Sequence, residues 1–221
     1  MIPTAFFRLA EWMVRNLPRK LTLALGLALA RAAFALGVPA RRALESNLAP
    51  LVGRRAPAER AARAGFEHFA RAFIEFLELE GMSLERLEAA VELQGGEHLE
   101  AARASGRGVI VLSAHLGNWE WGAARLALRG PRLHIAARRH GTVGVESIFD
   151  RRRRTFGLER VCERPLWVGV ARLLRAREWV ALMGDRAAPG TRHSVCAWAA
   201  ALARRTGALV LPAVTVRVAD S

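Results

Sequence analysis

The sequence predicts an α/β fold, with a mostly parallel central sheet flanked by helices. A hydrophobic, helical N-terminal segment that associates with a membrane precedes it. Three observations lead there. Strand and helix patterns alternate from Val109 onward, the arrangement that builds parallel sheets. Before that point the apolar residues recur mainly at helical spacing. The apolar run 21–30 is bracketed by Arg19-Lys20 and Arg31. The predicted organisation is a membrane-associating helical segment over 1–40 and an α/β domain over 41–221.

In chain order, residues 4–17 and 21–37 read as helices separated by Pro18, with Pro39 ending the second. A short helix is expected over 41–51. A longer one covers 58–80, where Phe66, Phe69, Phe73, Ile74 and Leu77 form a stripe of core type. Val91–Leu93 reads as a short strand. Residues 97–105 read as a helix stopped by Gly106. The predicted strands then lie at 109–113, 133–137, 180–183 and 208–217, the last interrupted by Pro212. The helices between them lie at 119–128, 148–155, 165–176 and 195–206.

Composition narrows the function classes. The 221 residues are 52% hydrophobic and 24% charged, which excludes a disordered chain. The net charge of +14 is almost wholly arginine, because Lys20 is the only lysine. Guanidinium forks bind phosphate and carboxylate bidentately, so the partner classes are nucleic acid, an anionic membrane surface or an acidic substrate. No nucleic acid is expected, since tyrosine is absent and no recognition motif is present. Cys162 and Cys196 have no disulfide or metal spacing and read as free, buried thiols in a reducing compartment.

The N-terminus imitates a signal peptide. However, the region before its apolar run is long and carries Phe6, Phe7, Trp12 and Met13 between charges. The preferred reading is a monotopic anchor, with Arg8, Arg15, Arg19 and Lys20 on anionic headgroups. A spanning helix and a buried core helix stay open.

The chemistry centres on His115-Leu116-Gly117-Asn118-Trp119-Glu120, directly after the apolar run Gly108–Ser113. In an unbroken helix, positions five apart diverge by about 140°. His115 and Glu120 meet only if the histidine lies in a strand-to-helix turn and the glutamate in the helix that follows. Gly117 permits such a turn, and Asn118 suits the N-cap. His115 then reads as a general base acting on a hydroxyl, with Glu120 holding the imidazole tautomer. Ser113 lacks a Gly-x-Ser-x-Gly setting, and the spacing is not His-Glu-x-x-His, so neither a serine nucleophile nor a metal is expected. A solvated histidine with an exposed glutamate would give the same spacing.

The block Ser113–Glu120 resembles the His-x₄-(Asp/Glu) motif of lysophospholipid acyltransferase-like enzymes. Its His-x-Gly-Asn-Trp-Glu form is similar to the bacterial lipid A biosynthesis acyltransferases, the lauroyl and myristoyl transferases of lipid A. Arg153–Gly157, Gly184-Asp185-Arg186 and Ala203–Pro212 resemble further blocks of that family, in order. The resemblance implies a glycerol-3-phosphate acyltransferase-like fold and a catalytic dyad of His115 and Glu120. It implies substrate binding by Asn118, Trp119, Arg138, Arg139, Arg153, Asp185 and Arg186. No cofactor is implied beyond the co-substrate, an acyl carrier protein or coenzyme A thioester. The implied acceptor is a membrane glycolipid at the cytoplasmic face of a bacterial inner membrane. The run Arg151–Arg154, with Arg138 and Arg139, is read as gripping its anionic headgroup. Relative to the family pattern, the stretch around Gly190–Val195 is short and the chain stops soon after its last strand. The domain is therefore expected to be C-terminally truncated. A different acceptor lipid, or an inactive homologue, stays open.

Overall fold

In the computed structural model, the described residues are 4–52, 55–128, 130, 132–137, 142–161, 165–185 and 195–218. The chain forms two compact units, divided between Glu78 and Leu79. The division falls after residue 78 rather than at 40, because the helices between these points pack with the N-terminal ones.

In the N-terminal unit, α1 (Thr4–Asn16), α2 (Arg19–Ala35) and α3 (Pro39–Val52) all pack on α4 (Arg55–Glu78). Pro39 opens α3 as well as closing the preceding turn, since a proline at the first helical position forfeits no hydrogen bond. Gly26 brings α2 against Ile74, where a Cβ would collide with that side chain. Phe7 and Phe73 meet edge to face at 5.6 Å, as do Phe34 and Phe66 at 5.5 Å. Ion pairs tie the same helices, including Arg19–Glu78 at 3.1 Å and Arg31–Glu67 at 2.9 Å. Phe69 departs from the expected core stripe and is exposed.

The outer face of α2 exposes Leu21, Leu25 and Leu29 at successive turns. Among the described residues, no single helix is long and apolar enough to cross a membrane. The pair α2 and α3, bent by 81°, meets that test only together.

The second unit contains a five-stranded, all-parallel sheet in the order β3-β2-β4-β1-β5. The strands are β1 (Val109–Ser113), β2 (Leu133–Ile135), β3 (Leu158–Arg160), β4 (Trp179–Met183) and β5 (Leu209–Pro212). After a short 3₁₀ turn at Leu79–Gly81 come α5 (Leu84–Ala90), α6 (Gly96–Ala104), α7 (Trp119–Ala127), α8 (Val143–Thr155), α9 (Leu166–Arg175) and α10 (Val195–Thr206). Helices α9 and α10 bury Val170, Leu174, Ala199 and Leu202 with Ile110, Val180 and Leu182 of the central strands. β1 and β4 read as continuous apolar runs because both are interior strands covered on their faces.

The strand read over 208–217 ends at Pro212 and that over 133–137 at Ile135, and two further readings change in kind. Val91–Leu93 forms no strand: Val91 ends α5, and its carbonyl accepts from Arg125 Nε at 3.2 Å instead of a ladder partner. β3, which local pattern does not announce, is an edge strand of three residues. Its Leu158 is buried, while Arg160 pairs with Glu146 and Asp150, each at 2.9 Å.

Ile110 is fully buried at the centre of this packing. Replacing it with alanine removes methylenes that have no room to be replaced. Urea unfolding of Ile110→Ala is expected to show a loss of about 2–5 kcal/mol with an unchanged fold by circular dichroism.

Candidate active site

The site grows out of the carboxyl ends of β1 and β4. Their register pairs Ser113 with Met183, and the Gly184 N–H donates to the Ser113 carbonyl at 2.6 Å. Both strands therefore release the chain at the same height. Two residues further on, His115 and Asp185 meet: the imidazole Nδ1 lies 3.0 Å from each carboxylate oxygen of Asp185. Gly184 keeps this junction narrow, since a Cβ there would stand 2.9 Å from Cys196 Sγ and 3.2 Å from Leu112.

After His115 the chain turns sharply into α7. Gly117 has φ +54°, and a Cβ there would strike the Thr215 backbone at 2.5 Å, so the position requires glycine on two counts. Asn118 caps the helix, its Oδ1 accepting from the Trp121 N–H at 3.1 Å. Trp119 meets the imidazole edge to face, with centroids 5.0 Å apart. The turn and the cap follow the sequence reading.

The carboxylate expected on the imidazole does not. Glu120 is buried and held by Arg153 of α8, with Nη2 at 2.6 Å and Nε at 3.2 Å from its two oxygens. The carboxylate at His115 Nδ1 is that of Asp185. The reason is geometric: Glu120 lies inside the helix beyond the turn, whereas the sheet register delivers Asp185 to the imidazole. Arg153 is itself buried, with Phe149 stacked 5.4 Å from its guanidinium.

Two more arginines of the run are paired within the protein. Arg151 and Arg152 form ion pairs with Glu80 at 2.9 and 3.2 Å, and Arg152 donates a hydrogen bond to the Ile148 carbonyl at 2.9 Å. Among the described residues Arg152 is the largest fully buried side chain, so it braces α8 and does not reach for a headgroup. Only Arg151 and Arg154 of the four are exposed.

Asp185 is the titratable group that the site perturbs. Burial pushes its carboxyl up. The hydrogen bond and charge of the His115 ring, with the backbone N–H groups of Asp185 and His115, outweigh that and hold it below the usual aspartate range. The carboxylate is thus ionised wherever the imidazole needs a partner. Among the described residues nothing bonds His115 Nε2, and no cluster of side chains suits a metal ion.

The sequence profile of the bacterial lipid A biosynthesis acyltransferase family matches residues 4–221. The chain belongs to that family. No curated protein matches it. As a member of the lipid A acyltransferase family, it is an acyltransferase-type enzyme.

Within this acyltransferase, the expected site residues sort unevenly. His115, Trp119 and Asp185 come together. Asn118, expected at a substrate, is buried and spends its side chain on the helix cap. Arg153 meets Glu120. Arg138, Arg139 and Arg186, like Cys162, lie outside the described residues. Glu80 is the partner that sequence reasoning missed, and no local signal links it to an arginine pair so far along the chain.

The two carboxylates should therefore fail differently. Asp185→Asn is expected to lower kcat by about 10²–10⁴, with a loss of stability smaller than that of Glu120→Gln. Glu120→Gln, which strands the Arg153 charge, is expected to cost about 3–5 kcal/mol in urea unfolding.

Asp185 also sets a pH dependence. Its folded carboxyl lies below its unfolded value of about 3.9, so its contribution to stability is present above that pH and lost as pH falls below it. Acid unfolding curves of the native chain and Asp185→Asn should converge at the acid end and separate toward neutrality.

Proposed function

We propose that this protein is a membrane-associated O-acyltransferase. It moves a fatty acyl chain from an acyl thioester, on acyl carrier protein or coenzyme A, to a hydroxyl of a lipid A precursor or related glycolipid. The setting is the cytoplasmic face of a bacterial inner membrane. Family membership and the apolar outer face of α2 support this reading.

The observation that carries the mechanism is the Asp185 carboxylate on His115 Nδ1. A carboxylate there accepts the Nδ1 proton and leaves the Nε2 lone pair as base, the logic by which an acid orients a catalytic histidine. The acceptor hydroxyl attacks the thioester carbonyl as Nε2 takes its proton. A C–O bond forms, the tetrahedral intermediate collapses, and the C–S bond breaks. The imidazolium, stabilised by Asp185, returns the proton to the departing sulfur. No enzyme nucleophile and no cofactor is needed for these steps. Glu120 and Arg153 act one layer below, as a neutralised pair that fixes the first turn of α7 and with it Trp119 against the imidazole.

Removing the base should abolish transfer. His115→Ala, assayed with an acyl carrier protein thioester and a lipid A precursor, is expected to lose all measurable product while still sedimenting with vesicles. Transfer that survives in this variant would refute the mechanism.

A further inference from the structure

The connection that carries His115 leaves the sheet between two neighbours. β4 lies on one side of β1 and supplies Asp185, and β5 lies on the other. Pro212 is level with Leu112, and the Ala213 N–H donates to the Leu112 carbonyl at 3.0 Å, so β5 releases its chain beside β1. Residues 213–218 are half-buried at 213, 215 and 217 and exposed at 214, 216 and 218. That is the period of an extended chain with one side against the protein. Under that side lies the start of α7. The Thr215 carbonyl oxygen stands 2.5 Å from where a Cβ at Gly117 would be, and the Val216 carbonyl carbon 3.3 Å. The Thr215 hydroxyl would collide with a Cβ at Gly122, and its methyl would stand 3.5 Å away. Gly117 must also be glycine for its φ of +54°. Gly122 has no such reason. It sits inside a helix, its N–H donates to the Asn118 carbonyl at 3.0 Å, and glycine there weakens the helix relative to alanine. The close approach of Thr215 accounts for it.

We propose that Thr215 is a positioning residue for His115. Its main chain lies across the Gly117 turn and its side chain rests on Gly122. Between these two points lie Asn118, which caps α7, and Trp119, whose ring meets the imidazole. A glycine turn has wide conformational freedom and does not hold the preceding side chain by itself. The Thr215 main chain removes that freedom. His115 is thus fixed from both flanks, by the Asp185 carboxylate on the β4 side and by the clamped turn on the β5 side. The proposal rests on the reading of His115 as the base and assigns what holds that base in place. A displacement of about 1 Å at a reacting group can cost about 10²-fold in rate.

The contact can be crowded from either side on the full chain. Gly122→Ala puts a methyl group against the Thr215 hydroxyl while favouring the helix itself. It is expected to lower kcat at least about tenfold, with KM little changed and native circular dichroism. The double variant Gly122→Ala/Thr215→Ala removes the collision and should recover most of the loss, a pattern that two independent defects would not give. Thr215→Leu crowds the same contact with the helix unaltered and should reproduce the loss. The NMR signals of the His115 ring protons, assigned by their absence in His115→Ala, read the geometry without turnover. The Trp119 ring displaces them in the native protein, so they should move in both single variants and return in the double variant. Unmoved signals with unchanged kcat in both single variants overturn the proposal, as does a loss that the double variant deepens. If the native chain transfers no acyl group while the signals move and return, the reading of His115 as a base falls and Thr215 still holds its ring. Transfer that depends on His115, in a protein whose signals never move, removes only this inference.

Discussion

Everything at the site depends on the parallel pairing of β1 with β4. Ser113 lies opposite Met183, and the chain leaves both strands at the same level. That single register joins two side chains 70 residues apart at 3.0 Å. A shift of one residue would turn the strand faces over and separate them. The glycines nearby serve the same end. Gly184 allows the two connections to lie close, and Gly117 makes the left-handed turn that starts α7 without displacing His115.

A second layer of order comes from charge. A buried guanidinium must be paired, because its desolvation otherwise outweighs what packing gains. Arg153 answers Glu120, and Arg152 answers Glu80. These pairs link α8 to the first turn of α7 and to the 3₁₀ turn at Leu79–Gly81. In a chain of net charge +14, part of the arginine is therefore internal scaffolding and not a surface for anions. Glu120, the motif carboxylate, belongs to this scaffold in geometry, while Asp185 belongs to the imidazole.

Much of the architecture was legible. The alternation after Val109 identified four of the five strands, because each is a short, largely apolar run set between helical patterns. The turn at Gly117 and the cap at Asn118 were readable from local conformational preference alone. β3 was not, since three residues that include a glutamate and an arginine give no periodic signal. Asp185 was recognisable as a site residue by resemblance, yet its partner was not. Strand order is a property of the whole sheet, and no local pattern states that β4 lies beside β1. The arginine run 151–154 misled for a related reason. Its charges are visible in sequence, whereas Glu80 and Glu120, which pair with Arg151, Arg152 and Arg153, reach it only through tertiary packing.

The central claim is that Asp185, and not Glu120, sets the tautomer of His115. Nitrogen-15 NMR of histidine-labelled protein reads that tautomer directly, with the His115 signal assigned by its loss in His115→Ala. At a pH where the imidazole is neutral, the account predicts a protonated Nδ1 and an unprotonated Nε2. That pattern should be lost in Asp185→Asn and kept in Glu120→Gln. A native Nε2–H tautomer, or a pattern lost with Glu120 and kept without Asp185, would contradict it.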